Sequence, residues 1–128
     1  MKLGEAIVKK VKASGVETVF GIPGGGTSSD LLCNMSDHGL DFILTQHETT
    51  AAIMASIVGE LTEIPGVCVA DLGPGALSLS PGLAYAHLDR APLITLTDRY
   101  GSENVDYALR QKIPHTECFK PITKLSTS

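Results

Sequence analysis

Apolar positions along the chain switch between two spacings, and the switching predicts the elements. Leu3, Ala6, Ile7 and Val11 recur three and four residues apart, which lays them on one stripe of a helix over 3–13. Gly15 is placed to end that helix. The run ETVFGI is short, β-branched and aromatic, and reads as a strand that PGGG breaks. Thr27 and Ser28 are residue types that cap a helix, and Asp30 suits its first turn, with Leu31, Leu32 and Met35 as its apolar side. DFILT predicts a second strand, HETTAAIMASIVGEL a third helix and GVCVAD a third strand. LGPGALS reads as a turn, SLSPGLAYAHL as a helix with Pro81 near its start, and PLITLT as a fourth strand.

Strand, tight turn and helix thus repeat with short connections, the pattern of a parallel sheet with helices on its faces. The strands are continuous apolar runs, as expected where both faces are covered. The expected fold class is therefore α/β. Beyond Thr97 the pattern fades: DRYGSENVDYALRQKIPHTE reads as a loop with a short helix, and CFKPITKLS as a strand entry that stops short. Such an entry calls for a crossover helix and a further strand. The expectation is one domain over 1–128, incomplete at its C-terminal end and completed by further chain or by a partner.

Composition narrows the partners. The 128 residues carry a formal charge of -4 with both signs interspersed, which argues against nucleic acid or an anionic membrane surface. No apolar run is long enough to span a bilayer, and the charged start MKLGEAIVKKVKAS is not a secretory signal, so the expected location is cytoplasmic. Cys33, Cys68 and Cys118 are far apart and lack C-x-x-C spacing, which argues against a zinc site or a disulfide framework and for buried, reduced thiols.

Candidate chemistry collects after the strands. GIPGGG and DLGPG both follow strands, at the sheet edge where ligands of α/β folds bind. Neither has the G-x-G-x-x-G spacing or a P-loop Lys, so each reads equally as a tight turn. Glu48 opens the third helix on the same edge, either complementing the helix dipole or serving a ligand. His47 reads as a structural neighbour, since no other His, Cys or Asp has ligand spacing to it. Ser28, Ser78 and Ser80 lie outside any G-x-S-x-G elbow.

Four segments in order carry a resemblance: VETVFGIPGGG, QHETTAAIMAS, GVCVADLGPGALSLSPGLAYAHLDRAPLITLTD and FKPITKLS. Together they resemble the N-terminal, pyrimidine-binding domain of thiamine diphosphate-dependent enzymes, closest in look to the acetolactate synthase and benzoylformate decarboxylase group. The resemblance implies that Glu48 is the catalytic carboxylate, hydrogen-bonded to N1′ of the cofactor's aminopyrimidine. It implies that Ile22, Pro23, Gly24 and Gly25 approach the pyrimidine, that Pro74, Gly75 and Ser78 line the same cleft, and that Gln111 faces the substrate. Thiamine diphosphate is the implied cofactor. Its diphosphate and Mg²⁺ would be held by a partner domain or subunit in a homo- or hetero-oligomer, and its substrate would be a small 2-oxo acid.

The chain also departs from the family's pattern. Gln46 stands where Arg is common, Asp71 and Leu72 where small hydroxyls precede Gly-Pro-Gly, Ser78 where Asn is usual, Ile57-Val58-Gly59 where a Gly-Tyr-Ala segment is usual, and Asp98 where Gly is common. The resemblance therefore implies the pyrimidine domain of a decarboxylase or carboligase. The alternative is a non-catalytic domain that packs on a full-length relative, or a decayed fragment.

Overall fold

Helix α1 (Leu3–Ala13) forms where the apolar spacing predicts it, but its buried residues are Val8 and Val11, while Leu3 of the expected stripe is exposed and Ala6 and Ile7 are half-buried. The computed structural model describes residues 2–25, 27–101 and 110–128. After α1 come β1 (Thr18–Ile22), α2 (Thr27–Asp37), β2 (Asp41–Leu44), α3 (Glu48–Thr62) and β3 (Gly66–Ala70). A short α4 (Pro74–Leu77), α5 (Ser80–Asp89), β4 (Leu93–Thr97), α6 (His115–Phe119) and a 3-10 turn over Lys120–Ile122 follow. All four strands are parallel, in the order β2-β1-β3-β4. The chain is α/β with helices on both faces of the sheet, as expected.

Alternation along the central strands divides the core. Phe20, Cys68 and Ala70 face α3 and α5, where they join Ala51, Ala52, Ala55, Leu79, Leu83 and Phe119. Val19, Val67 and Val69 face the other way, onto Val8, Val11 and Met35 of α1 and α2. Each fully buried valine contributes about 1.5–3 kcal/mol, so the two central strands anchor both layers.

Helix α3 reverses the usual size pattern. Its buried face is small, with Ala51, Ala52, Ala55, Ser56 and Gly59, while Ile53, Ile57 and Leu61 are exposed one turn apart. The small face lets the helix backbone lie close on β3 and α5.

Three expectations are corrected. LGPGALS is not only a turn: Pro74, whose fixed φ suits a first helical position, starts the four-residue α4. CFKPITKLS is not a strand entry: Cys118 and Phe119 end α6, with Phe119 in the core, and Pro121 sits in the following 3-10 turn. Ser28 does not act as a cap, because it lies inside α2, where its N–H (3.1 Å) and hydroxyl both donate to the Asp98 carboxylate at the end of β4. Much of the loop expected after β4, residues 102–109, lies outside the described residues.

The thiols also differ from expectation, since Cys33 and Cys118 are exposed and only Cys68 is buried. Cys68 is central in β3, and burial pushes its thiol up to about 12, against the lowering effect of its hydrogen bond to Thr95. Ellman's reagent should therefore titrate Cys33 and Cys118 in the folded chain, and Cys68 only after denaturation. Reaction of all three at one rate would mean that β3 is not seated as described.

Candidate active site

In a sheet ordered 2-1-3-4, connections leave β1 in one direction to reach β2 and return across it to reach β3. The strand order reverses between β1 and β3, and in open α/β sheets it is at such a reversal, beyond the C-terminal strand ends, that the ligand crevice lies. Ile22 and Ala70 are paired there, each the last residue of its strand. Both Gly-rich turns and the start of α3 converge on this edge.

Local bonds fix the convergence. His47 caps α3 by accepting the Thr49 N–H on Nδ1 at 3.1 Å, so the helix end is satisfied without Glu48. Thr49 donates its hydroxyl to the Ser78 carbonyl at 2.6 Å, tying the start of α3 to the end of α4. That latch sets Gly75 against Glu48: a Cβ at Gly75 would lie 3.2 Å from Glu48 Oε1 and 3.5 Å from the Asp71 Cβ. Glu48 is half-buried, and among the described residues nothing donates a hydrogen bond to its carboxylate.

The turn after β1 closes the other wall. A Cβ on Gly24 would collide with the Asp71 carboxylate, so the two turns touch across the crevice. Asp71 Oδ1 accepts the Leu72 N–H at 2.8 Å, which orients it. Glu48 thus sets its carboxylate against Gly75, and Asp71 sets its Cβ against Gly75 and its carboxylate against Gly24.

The remaining candidates fall into place unevenly. Ile22 and Pro23 are half-buried at the crevice rim, whereas Gly25 is exposed with open space around it. Pro74 is exposed at the start of α4. The Ser78 hydroxyl is already committed to the Pro74 carbonyl at 2.9 Å. Gln111 adopts a left-handed backbone (φ 58°) and presses its main chain on Gly73. Gly73 has φ 68° and no room for a Cβ, so a glycine is required there twice over.

Two residues near the site have roles that the sequence does not reveal. Asp98 holds the first turn of α2 just beyond the Pro23–Gly25 turn. His115, buried at the start of α6, accepts the Gly73 N–H on Nε2 at 2.8 Å. Their partners lie 70 and 42 residues away in the chain, so no local pattern marks them.

Among the described residues, no three His, Cys, Asp or Glu side chains converge as a metal-ligand set, and no helix is long and apolar enough to cross a membrane.

Comparison with known proteins identifies the family. The family model for the thiamine pyrophosphate enzyme N-terminal TPP binding domain matches residues 1–121. The chain is 39% identical over 124 residues to a probable acetolactate synthase large subunit of Methanocaldococcus jannaschii, covering 97% of this chain and 21% of that protein. It is 35% identical over 122 residues to the acetolactate synthase of Bacillus subtilis, covering 95% and 21%. Against the acetolactate synthase isozyme 2 large subunit of Escherichia coli it is 41% identical over 91 residues, covering 71% and 16%. The chain spans about a fifth of the length of the curated relatives it matches. A crevice at the strand-order reversal, built from the matched segments, and a match over nearly the whole chain lead to one conclusion: the chain belongs to the thiamine pyrophosphate enzyme family and is of the kind that forms its N-terminal TPP-binding domain.

Proposed function

We propose that the crevice between β1 and β3 receives the aminopyrimidine of thiamine diphosphate and that Glu48 activates it. The observation that carries this reading is the Glu48 carboxylate itself. It is half-buried, uncommitted among the described residues, and next to a glycine whose missing Cβ leaves space at Oε1. The donor set fits the ring. A carboxyl able to hold a proton suits the ring nitrogen N1′, while Ile22 and Pro23 offer apolar cover at the rim and Gly24 brings the backbone close.

When bound, thiamine diphosphate supplies an electron sink for breaking or making a bond beside a carbonyl carbon, as in decarboxylation or carboligation of a 2-oxo acid. Glu48 holds the proton of the hydrogen bond to N1′. His47 satisfies the helix end and so leaves Glu48 free for that task. Gly75 keeps the approach to Oε1 open, and the Thr49–Ser78 bond keeps Gly75 in place.

The diphosphate and Mg²⁺ fall, in this reading, to a partner domain or subunit. The exposed stripe of Ile53, Ile57 and Leu61 on α3 supports such packing, since large apolar residues in a row on a helix suit a protein interface. Assembly with that partner as an oligomer, and an acetolactate synthase-like activity of the whole, belong to the same proposal.

A calorimetric titration with thiamine diphosphate and Mg²⁺ tests it. The chain would be titrated alone and mixed with the diphosphate-binding domain of an acetolactate synthase. Saturable binding in the mixture is the expected result. Absence of binding in every mixture, from a chain with folded circular dichroism, would sink the proposal. It would favour a second reading, a non-catalytic domain that packs on a full-length relative, to which the extra carboxylate of Asp71 in the crevice lends support.

A further inference from the structure

A backbone N–H can only donate, so the 2.8 Å contact from Gly73 N fixes the state of the His115 ring. Nε2 must carry a lone pair, and the proton of the neutral imidazole must sit on Nδ1. Nδ1 faces the Thr97 hydroxyl at 3.5 Å, which suits it as the donor to Oγ1. The ring is 8% exposed and leans on Phe119 with centroids 6.4 Å apart, so its orientation is held from two sides. What it holds in turn is Gly73, the residue that opens α4 and leads to Gly75 beside Glu48.

We propose that His115 is a positioning residue, which as a neutral Nδ1–H imidazole latches the Gly73–Pro74–Gly75 turn against Glu48 and releases it when protonated. Addition of a solution proton to the Nε2 lone pair leaves two N–H groups facing each other, and the contact with Gly73 is lost. Grooves on the two faces of β4 are each lined in part by Thr97, His115 and Thr116, so the buried ring lies close to the surface.

The neighbouring elements carry Asp71, Asp98, Arg99, Lys112, Glu117 and Lys120. Burial, and next the Arg99 guanidinium, hold the His115 pKa below the ordinary value of 6.5. A depressed histidine is neutral in the fold and charged in the unfolded chain, so the unfolded state binds more protons below about pH 6.5. The latch is therefore complete at neutral pH, and the stability it brings falls as pH drops through the ordinary histidine value toward the lower folded one.

The test is nitrogen-15 NMR of the whole chain through a pH titration, beside His115→Gln and His115→Phe. Gln keeps an uncharged acceptor near the position of Nε2, and Phe removes it. The expected result is an Nδ1–H ring at neutral pH, with the Gly73 and Gly75 amide signals shifting on acidification at the ring's own midpoint. In His115→Gln those signals should stay put over the same range. A ring protonated on Nε2 at neutral pH, Gly73 indifferent to the ring's titration, or the same step persisting in His115→Gln would each overturn the proposal. The wild-type titration decides it even where His115→Phe does not fold.

The link to ligand binding rests on the cofactor reading, and a second arm separates the two. In the mixture with a diphosphate-binding domain, thiamine diphosphate should bind roughly tenfold more weakly when the ring is protonated, the scale of one lost buried hydrogen bond. His115→Gln should lack that change. No binding at any pH, with Gly73 still following the ring, would sink the cofactor reading and leave the latch standing.

Discussion

Replacing Glu48 with Gln should slow exchange of the C2 proton of thiamine diphosphate by about 10²–10⁴-fold, the range over which a positioned acid or base acts. The measurement is hydrogen–deuterium exchange at C2, with the cofactor held by this chain and a diphosphate-binding domain. Gln matches Glu in shape and can still reach N1′, but it cannot hold and return a proton. The fold should survive. His47, not Glu48, caps α3 through the Thr49 N–H, so Glu48 contributes to the helix only through the dipole, about 0.3–1 kcal/mol. These two magnitudes separate the two roles a glutamate can play at a helix start. If Glu48 merely complements the dipole, Glu48→Gln lowers the melting temperature slightly and leaves exchange untouched. If it activates the cofactor, exchange collapses while the melting temperature hardly moves. Cofactor binding measured on the same samples shows whether slow exchange reflects an empty crevice or an inactive acid.

The divide between what was legible in the sequence and what was not follows the range of the forces involved. The helix and strand periods of α1, α3 and β1 to β4 are local, and Glu48 was placed at the start of α3 by the residues around it. That start lies on the ligand-binding edge because parallel strands put all their exits on one side. The order 2-1-3-4, which makes the crevice, is a long-range property with no local mark. The contact of Gly24 with Asp71 follows from that order, and neither residue announces it alone. Asp98 read only as a departure where glycine is common, yet it holds Ser28 across 70 residues of chain. His115 passed unnoticed within a polar stretch because what it holds is a backbone N–H at a distant turn. The short α4 was missed because Pro and Gly, which signal a turn, also start a helix when Pro takes its first position. The fate of the thiols was misjudged for a related reason: Cys residues are usually buried, but Cys33 and Cys118 lie on outward helix positions.

Gly66→Ala should destabilise the chain by roughly 3 kcal/mol, the upper end for overpacking a tight core. Gly66 opens β3 directly under α3, and a Cβ there would run into the main chain of Ala55, at its carbonyl and its Cα. Main chain cannot turn aside as a flexible side chain can, so β3 and α3 must separate. Gly66 also donates its N–H to the Pro92 carbonyl at 2.9 Å, which keeps the strand from sliding away from the clash. The small face of α3 makes the same demand toward α5, where a Cβ on Gly82 would meet the Cβ of Ala52. There the opposing atom is itself a removable methyl group. Gly82→Ala should therefore be rescued in part by Ala52→Gly, whereas Gly66→Ala has no such partner to trim. Gly25→Ala is the control, because a Cβ there meets nothing within 4 Å, and it should change stability by no more than about 1 kcal/mol. Urea unfolding of the four variants gives the comparison. A Gly66→Ala chain as stable as Gly25→Ala would mean that α3 does not lie on β3 at this distance. The seat matters beyond stability, because α3 carries Glu48 at its first turn, and lifting the helix from β3 moves that carboxylate away from Gly75. Gly66→Ala should accordingly weaken binding in the crevice even under conditions where the chain remains folded.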